Sequence, residues 1–154
     1  MIEIILGIAL AGILTSGITT FTVQTVTESA RSNNRMEATM QVENAGYWVG
    51  RDVQMSSNIT LGQTAGFPLE LRWQDENGSN YLVTYALSGG QIKRSLAKDG
   101  QAALQTVIAE SINSAPALTS CVYSSGLLTF NITSTLGKVT VSRSYEVKKR
   151  LDLK

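Results

Sequence analysis

Met1-Ile2-Glu3-Ile4-Ile5-Leu6-Gly7-Ile8-Ala9-Leu10-Ala11-Gly12-Ile13-Leu14 opens the chain as an apolar run with one carboxylate almost at its start. After Glu3 no formal charge occurs until Glu28. As a helix rising about 1.5 Å per residue, residues 4–27 reach about 36 Å, more than the roughly 30 Å hydrocarbon core of a bilayer. A carboxylate at the edge of such a segment is expensive in hydrocarbon without a partner, which makes Glu3 a candidate functional residue. No basic residue precedes the apolar run and no small-residue cleavage site with a following loop ends it, so the segment reads as mature sequence rather than as a secretory signal peptide.

The apolar character of this segment is uneven. Ile4 to Leu14 is solidly apolar, but Thr15, Ser16, Thr19, Thr20, Thr22, Gln24, Thr25 and Thr27 crowd the second half. Small and hydroxyl residues suit close approach between helices better than contact with lipid alone. Gly7 with Ala11 and Gly12 with Ser16 supply two small pairs at i, i+4, and Gly17 before Ile18-Thr19-Thr20 lowers helix propensity locally. Proline and turn clusters are absent until Ser56-Ser57-Asn58, so one helix is expected over residues 1–57. Beyond Glu28, Ala38, Val42, Ala45, Val49 and Val53 recur at steps of four and three, the spacing of a helix face laid on a core. Met40, Trp48 and Met55 are expected to widen that stripe, whereas Arg31, Arg35, Glu37, Gln41, Glu43 and Arg51 form the opposite side. The chain therefore divides into a membrane-type helix (1–27), an amphipathic continuation (28–57) and a head (58–154).

In the head the period changes to two. Leu69, Leu71 and Trp73 alternate with Glu70 and Arg72, and Tyr81, Val83, Tyr85 and Leu87 alternate with smaller or more polar residues, as half-buried strands do. Asp75-Glu76-Asn77-Gly78-Ser79-Asn80 between them holds the acids and amides of a calcium loop (Asp75, Asn77 and Asn80 being the candidate ligands), but its glycine is misplaced for an EF-hand. A hairpin turn on Asn77-Gly78 is the favoured reading. Ser88-Gly89-Gly90 leads into a strand at Gln91–Ala97, residues 101–113 fit either a short helix or an irregular strand, and strands follow at 118–123, 127–133 and 139–149. The expected class is α+β, a long N-terminal helix whose second half packs on an antiparallel sheet.

Composition narrows the chemistry. There is no histidine and one cysteine, Cys121. An intrachain disulfide, a Cys/His metal cluster and a histidine-based nucleophilic triad are thereby excluded. No spacing of serine, lysine or carboxylate points to another catalytic centre, so neither catalysis nor a cofactor is expected. Cys121 reads as a small buried hydrophobe on a strand. Arg143, Lys148, Lys149, Arg150 and Lys154 make the C-terminus basic, the pattern of a solvated edge strand and tail or of a surface for nucleic acid.

The order of these parts resembles the type IV pilin and pseudopilin superfamily. The resemblance is carried by Met1 to Leu14, which look like the mature start of those proteins, where a Phe-Thr-Leu-Ile-Glu type sequence opens an apolar helix. Gln41-Val42-Glu43-Asn44-Ala45-Gly46-Tyr47-Trp48-Val49-Gly50-Arg51-Asp52-Val53-Gln54-Met55 is similar to the end of the long helix in minor pseudopilins of the J or W type, whose heads also end in strands and a basic terminus. The chain departs from the family in lacking a cysteine pair and the proline that bends the membrane helix of many relatives. Aligning Glu3 with the family glutamate implies two residues and a basic, glycine-ended leader ahead of Met1.

The resemblance implies a subunit held in the bacterial cytoplasmic membrane by one span, processed by a prepilin peptidase, and lifted by an assembly ATPase and platform into an extracytoplasmic filament with copies of itself or other pilins. Glu3 would there face the N-terminal amine of a neighbour and fix axial register, with Gly7, Ala11, Gly12, Ser16 and Gly17 in helix packing and Ala38, Val42, Ala45, Trp48 and Val49 holding the head. The alternatives are a single-pass membrane-anchored β-domain that binds a ligand, and a DNA-uptake filament subunit contacting DNA through its basic C-terminus.

Overall fold

The structure, a computed structural model, describes residues 2–149, with the side chains of Leu6 and of residues 8–20 outside that description. Its backbone forms one helix and eight strands: α1 (Ile2–Met55), β1 (Asn58–Gly62), β2 (Gly66–Gln74), β3 (Asn80–Ser88), β4 (Gln91–Lys98), β5 (Leu104–Ala109), β6 (Ser120–Ser124), β7 (Leu127–Leu136) and β8 (Val139–Lys148). The chain divides into two compact units, Met1–Asn34 and Arg35–Lys154. The first is helical from Ile2 onward.

Threonine in a helix loses side-chain freedom and competes for backbone bonds. Here the hydroxyls of Thr25, Thr27 and Thr39 donate to the carbonyls of Phe21, Val23 and Arg35, four residues back, at 2.8–2.9 Å. The helix stops where the sequence turns to serine and asparagine. Ser56 closes it, donating both its backbone N–H (3.1 Å) and its hydroxyl (2.8 Å) to the Val53 carbonyl.

In the second unit α1 lies on a β-rich head through the expected stripe. Ala38, Val42, Ala45, Val49 and Val53 are buried, and the last four join Leu69, Leu71, Val83, Tyr85 and Ile92 in one core with Cys121, Leu128, Phe130 and Ile132. The burial starts at Ala38, the first residue of the stripe read from the sequence. Between Glu28 and Glu37 only Asn34 is partly covered, because the apolar repeat itself begins at Ala38. Met40 does not widen the stripe; it lies off the 38–42–45–49 line and is exposed, whereas Trp48 and Met55 are half-buried.

The head holds two antiparallel sheets rather than one, a five-stranded sheet in the order β1-β2-β3-β4-β5 and a three-stranded sheet in the order β6-β7-β8. Two-residue hairpins with positive φ at both central positions join β3 to β4 (Gly89-Gly90) and β6 to β7 (Ser125-Gly126). That backbone twist matches the twist of the flanking strands and suits glycine. Asn58–Gly62, read only as the onset of the two-residue period, is a strand paired with β2. The ambiguous stretch 101–113 contains the edge strand β5, paired with β4. A backbone bond from Cys121 N to the Ala65 carbonyl (2.8 Å) ties the second sheet to the β1–β2 turn, and Ile112 bridges to Ser134 of β7.

Candidate functional site

The first unit offers an apolar helix surface. Ile2, Ile4, Ile5, Phe21, Val23 and Val26 are all exposed, as is Glu3. Gly7 is exposed too, with open space where a Cβ would point. The other proposed packing positions, Ala11, Gly12, Ser16 and Gly17, lie outside the described side chains. Among the described residues no helix is long and apolar enough to cross a membrane. The side chains of the central part of the 1–27 span, residues 8–20, lie outside the description.

Where α1 meets the head, a polar group sits in the middle of the apolar stripe. Asp52 falls three residues after Val49 on the same line of steps, and it is fully buried. Both of its oxygens are engaged: Tyr85 Oη donates to Oδ2 at 2.5 Å, Arg94 Nε to Oδ2 at 2.7 Å and Arg94 Nη2 to Oδ1 at 3.2 Å. A buried carboxylate is tolerable only when so paired. β3 places Tyr85 and β4 places Arg94 directly opposite it in register, so one acid on the helix grips two adjacent strands. Burial pushes the Tyr85 hydroxyl well above its ordinary range, and the Asp52 charge adds to this. Burial pulls the Arg94 guanidinium down, but the bond to Asp52 and its charge outweigh that and leave it raised. Arg94 also lies 5.0 Å from the centre of the half-buried Trp48 ring, with the Arg51 guanidinium at 5.6 Å from the same ring.

A second contact locks α1 to β8. Gly46 leaves a gap that the Tyr145 ring fills so closely that a Cβ would lie 2.2–2.6 Å from three ring carbons, and Tyr145 Oη donates to the Val42 carbonyl at 3.3 Å. The ring stacks on Phe130, 6.3 Å between centroids. Arg143, one of the bases of the C-terminus, is exposed on the rim of the groove beside this contact, near Glu43, Tyr47 and Arg51.

The calcium-like loop is spent on its own turn. Asp75 Oδ1 accepts from the backbone N–H of Asn77 and Ser79, both at 2.9 Å, and Tyr81 Oη donates to Oδ2 at 3.3 Å. The turn spans Asp75 to Ser79 with Gly78 at φ 83°, rather than closing on Asn77-Gly78 alone. Asn80 gives its N–H to Asp99 at 2.7 Å. Cys121 is buried, and burial pushes its thiol up to about 12, so it is no thiolate nucleophile near neutrality. Of the basic tail, Arg143 and Lys148 are exposed and Lys149 Nζ donates to the Ser57 carbonyl; Arg150 and Lys154 lie outside the described residues.

What the described geometry supplies is a helix with exposed apolar side chains and one acid near its start, and a helix–sheet clamp of buried hydrogen bonds. Sequence reasoning missed Asp52, Tyr85, Arg94 and Gly46. For Asp52 the signal was present, since 38, 42, 45, 49, 52 and 56 continue the same alternation of steps. No protein-family model, no curated protein and no solved structure matches this chain.

Proposed function

We propose that this chain is a structural subunit, a pilin or minor pseudopilin, of a type IV pilus-like or type II secretion-like filament, assembled through its N-terminal helix. The observation that carries this reading is the surface of the first unit: apolar side chains at Ile2, Ile4, Ile5, Phe21, Val23 and Val26 stand exposed around a helix with a carboxylate, Glu3, in its first turn. Exposed apolar side chains in such number require a cover. Lipid covers them before assembly, and the helices of neighbouring subunits cover them afterwards. Glu3 then pairs with a neighbour's N-terminal amine, and that pairing offsets part of the desolvation of both charges while selecting one axial register. The clamp of Asp52 on Tyr85 and Arg94 supports the same reading, because force applied through α1 must reach the head without sliding along the sheet.

Cysteine cross-linking tests the proposal. In a Cys121→Ala background, Phe21→Cys, Val23→Cys or Val26→Cys placed in the full chain and oxidised in the producing cell should trap dimers in the sheared filament fraction. Dimers at none of the three positions would contradict helix-to-helix assembly. A monomeric chain in the membrane fraction alone would favour the tethered binding module.

A further inference from the structure

Of the four edge strands of the two sheets, β1 and β6 adjoin each other, with Cys121 N bonded to the Ala65 carbonyl nearby, and β5 and β8 are the other two edges, of unlike charge. On the outer side of β5 no strand pairs among the described residues. The helix closes only its far end, where Asn44 Nδ2 donates to the Ile108 carbonyl at 2.6 Å and Glu110 N donates to Gln41 Oε1 at 2.8 Å. Ahead of that cover, Gln101 to Val107 is exposed at every residue, with Leu104 at 71%. No residue from Gly100 to Ala109 is charged, and Asp99 and Glu110 flank the stretch. Natural edge strands are usually blunted by lysine, proline or inward charges; the Leu104–Val107 edge carries none of these.

The other edge is β8, the outer strand of the three-stranded sheet. Its first four residues, Val139-Thr140-Val141-Ser142, are uncharged and lie between Lys138 and Arg143, both exposed. The uncharged part of one edge thus runs up to an acid, Glu110, and the uncharged first four residues of the other lie between two bases.

We propose that the Leu104–Val107 edge of β5 pairs with the Val139–Ser142 edge of β8 in a second copy of this chain, so that the five-stranded sheet of one subunit continues into the three-stranded sheet of the next. Charge selects this pairing over its rivals. Two β5 edges paired in parallel would set Glu110 against Glu110, and paired antiparallel over Leu104–Val107 would set Glu110 opposite Gln101, on the diagonal from Asp99; two β8 edges would oppose Lys138 and Arg143 to themselves or to each other, and like charges across strands destabilise. In the mixed pair a base falls opposite Ile108 in either strand direction, Arg143 if parallel and Lys138 if antiparallel. That places it two residues from Glu110, a diagonal of about 7–8 Å that a long side chain spans. Glu110 already holds Gln91 Nε2 at 2.9 Å, which fixes the acid near the edge. Because the contact joins two different surfaces it is head-to-tail, and it repeats from copy to copy instead of closing a two-fold dimer.

Only the expectation of repetition rests on the filament proposal. The pairing itself is read on the full chain in detergent, so it can fail while filaments form, and stand while they do not. In a Cys121→Ala background, Thr140→Cys mixed with Gln105→Cys or Thr106→Cys should give a mixed disulfide dimer in at least one combination. Glu110→Lys should lower its yield about fivefold, and adding Lys138→Glu and Arg143→Glu to the Thr140→Cys partner should restore it. Dimers only of like with like, no mixed dimer, or a yield indifferent to the charge reversals would each overturn the proposal.

Discussion

Replacing Asp52 with alanine removes a side chain of α1 that is hydrogen-bonded to both β3 and β4. The consequences follow from the burial of each partner. Tyr85 is fully buried, and its hydroxyl would lose its acceptor; leaving such a group unpaired costs about 1–3 kcal/mol. The Arg94 side chain retains 13% of its exposure and lies over Trp48, so its guanidinium can turn partly to water and loses roughly 1–2 kcal/mol of charge-assisted bonding. The total expected is about 3 kcal/mol, at the lower end of the range for breaking a buried ion pair. Urea unfolding of the full chain in detergent, followed by the fluorescence of Trp48 and Trp73, measures it. Tyr85→Phe in the wild-type background should cost about 1 kcal/mol, yet in the Asp52→Ala background it should be neutral or stabilising, since the unpaired hydroxyl is gone. A loss below about 0.5 kcal/mol for Asp52→Ala, or strictly additive losses in the double variant, would refute the clamp.

Two glycines on α1, one turn apart, should respond with opposite signs. At Gly46 an added methyl meets the Tyr145 ring, and an overpacking loss of about 1–3 kcal/mol exceeds the gain of up to about 1 kcal/mol in helix propensity. At Gly50 the nearest atom is a Val147 methyl at 3.7 Å, an ordinary contact, so Gly50→Ala should stabilise by about 0.5–1 kcal/mol; a shift of the same sign at both sites in urea midpoints would contradict the packing described. Stability should also decline at alkaline pH. The unfolded chain releases the Cys121 proton from about pH 9, while burial holds it in the folded state up to about 12, so the contribution is complete below 9 and is lost between the two. Tyr85 acts in the same direction above pH 10, its proton also held by burial. Cys121→Ala should flatten the fall in urea midpoint between pH 8 and 10.5, and an unchanged slope would show that the thiol is not held protonated.

The repeating elements were legible because each obeys one period. Ala38 to Val53 follow the helix step, and Leu69, Leu71, Val83 and Tyr85 follow the strand step, and all of these are buried. Residues that work through a distant partner were harder to see. Asp52 is polar on an apolar line, and its reason is Arg94, 42 positions away. Gly46 resembles any helical glycine until Tyr145 is brought over it by a strand almost a hundred residues later. Met40 was overread, since an apolar residue one step off the stripe is exposed by the helix angle alone. β5 stayed open between a short helix and an irregular strand because its exposed part lacks the alternation that burial on one face imposes, and the division into two sheets depends on strand partners rather than on any strand's own sequence. Glu3 and Gly7 were legible as an acid and a small residue in an apolar run, and both are exposed; under the filament proposal what covers them belongs to other molecules.

The central claim, that Glu3 on an apolar helix sets assembly, is tested most directly by the amount of this chain in sheared filaments from cells producing wild type or Glu3→Ala, each normalised to its membrane-fraction content. Equal membrane content with filament recovery reduced at least about tenfold, a coupling of about 1.4 kcal/mol or more, is the expected result. Wild-type recovery from Glu3→Ala would contradict the account.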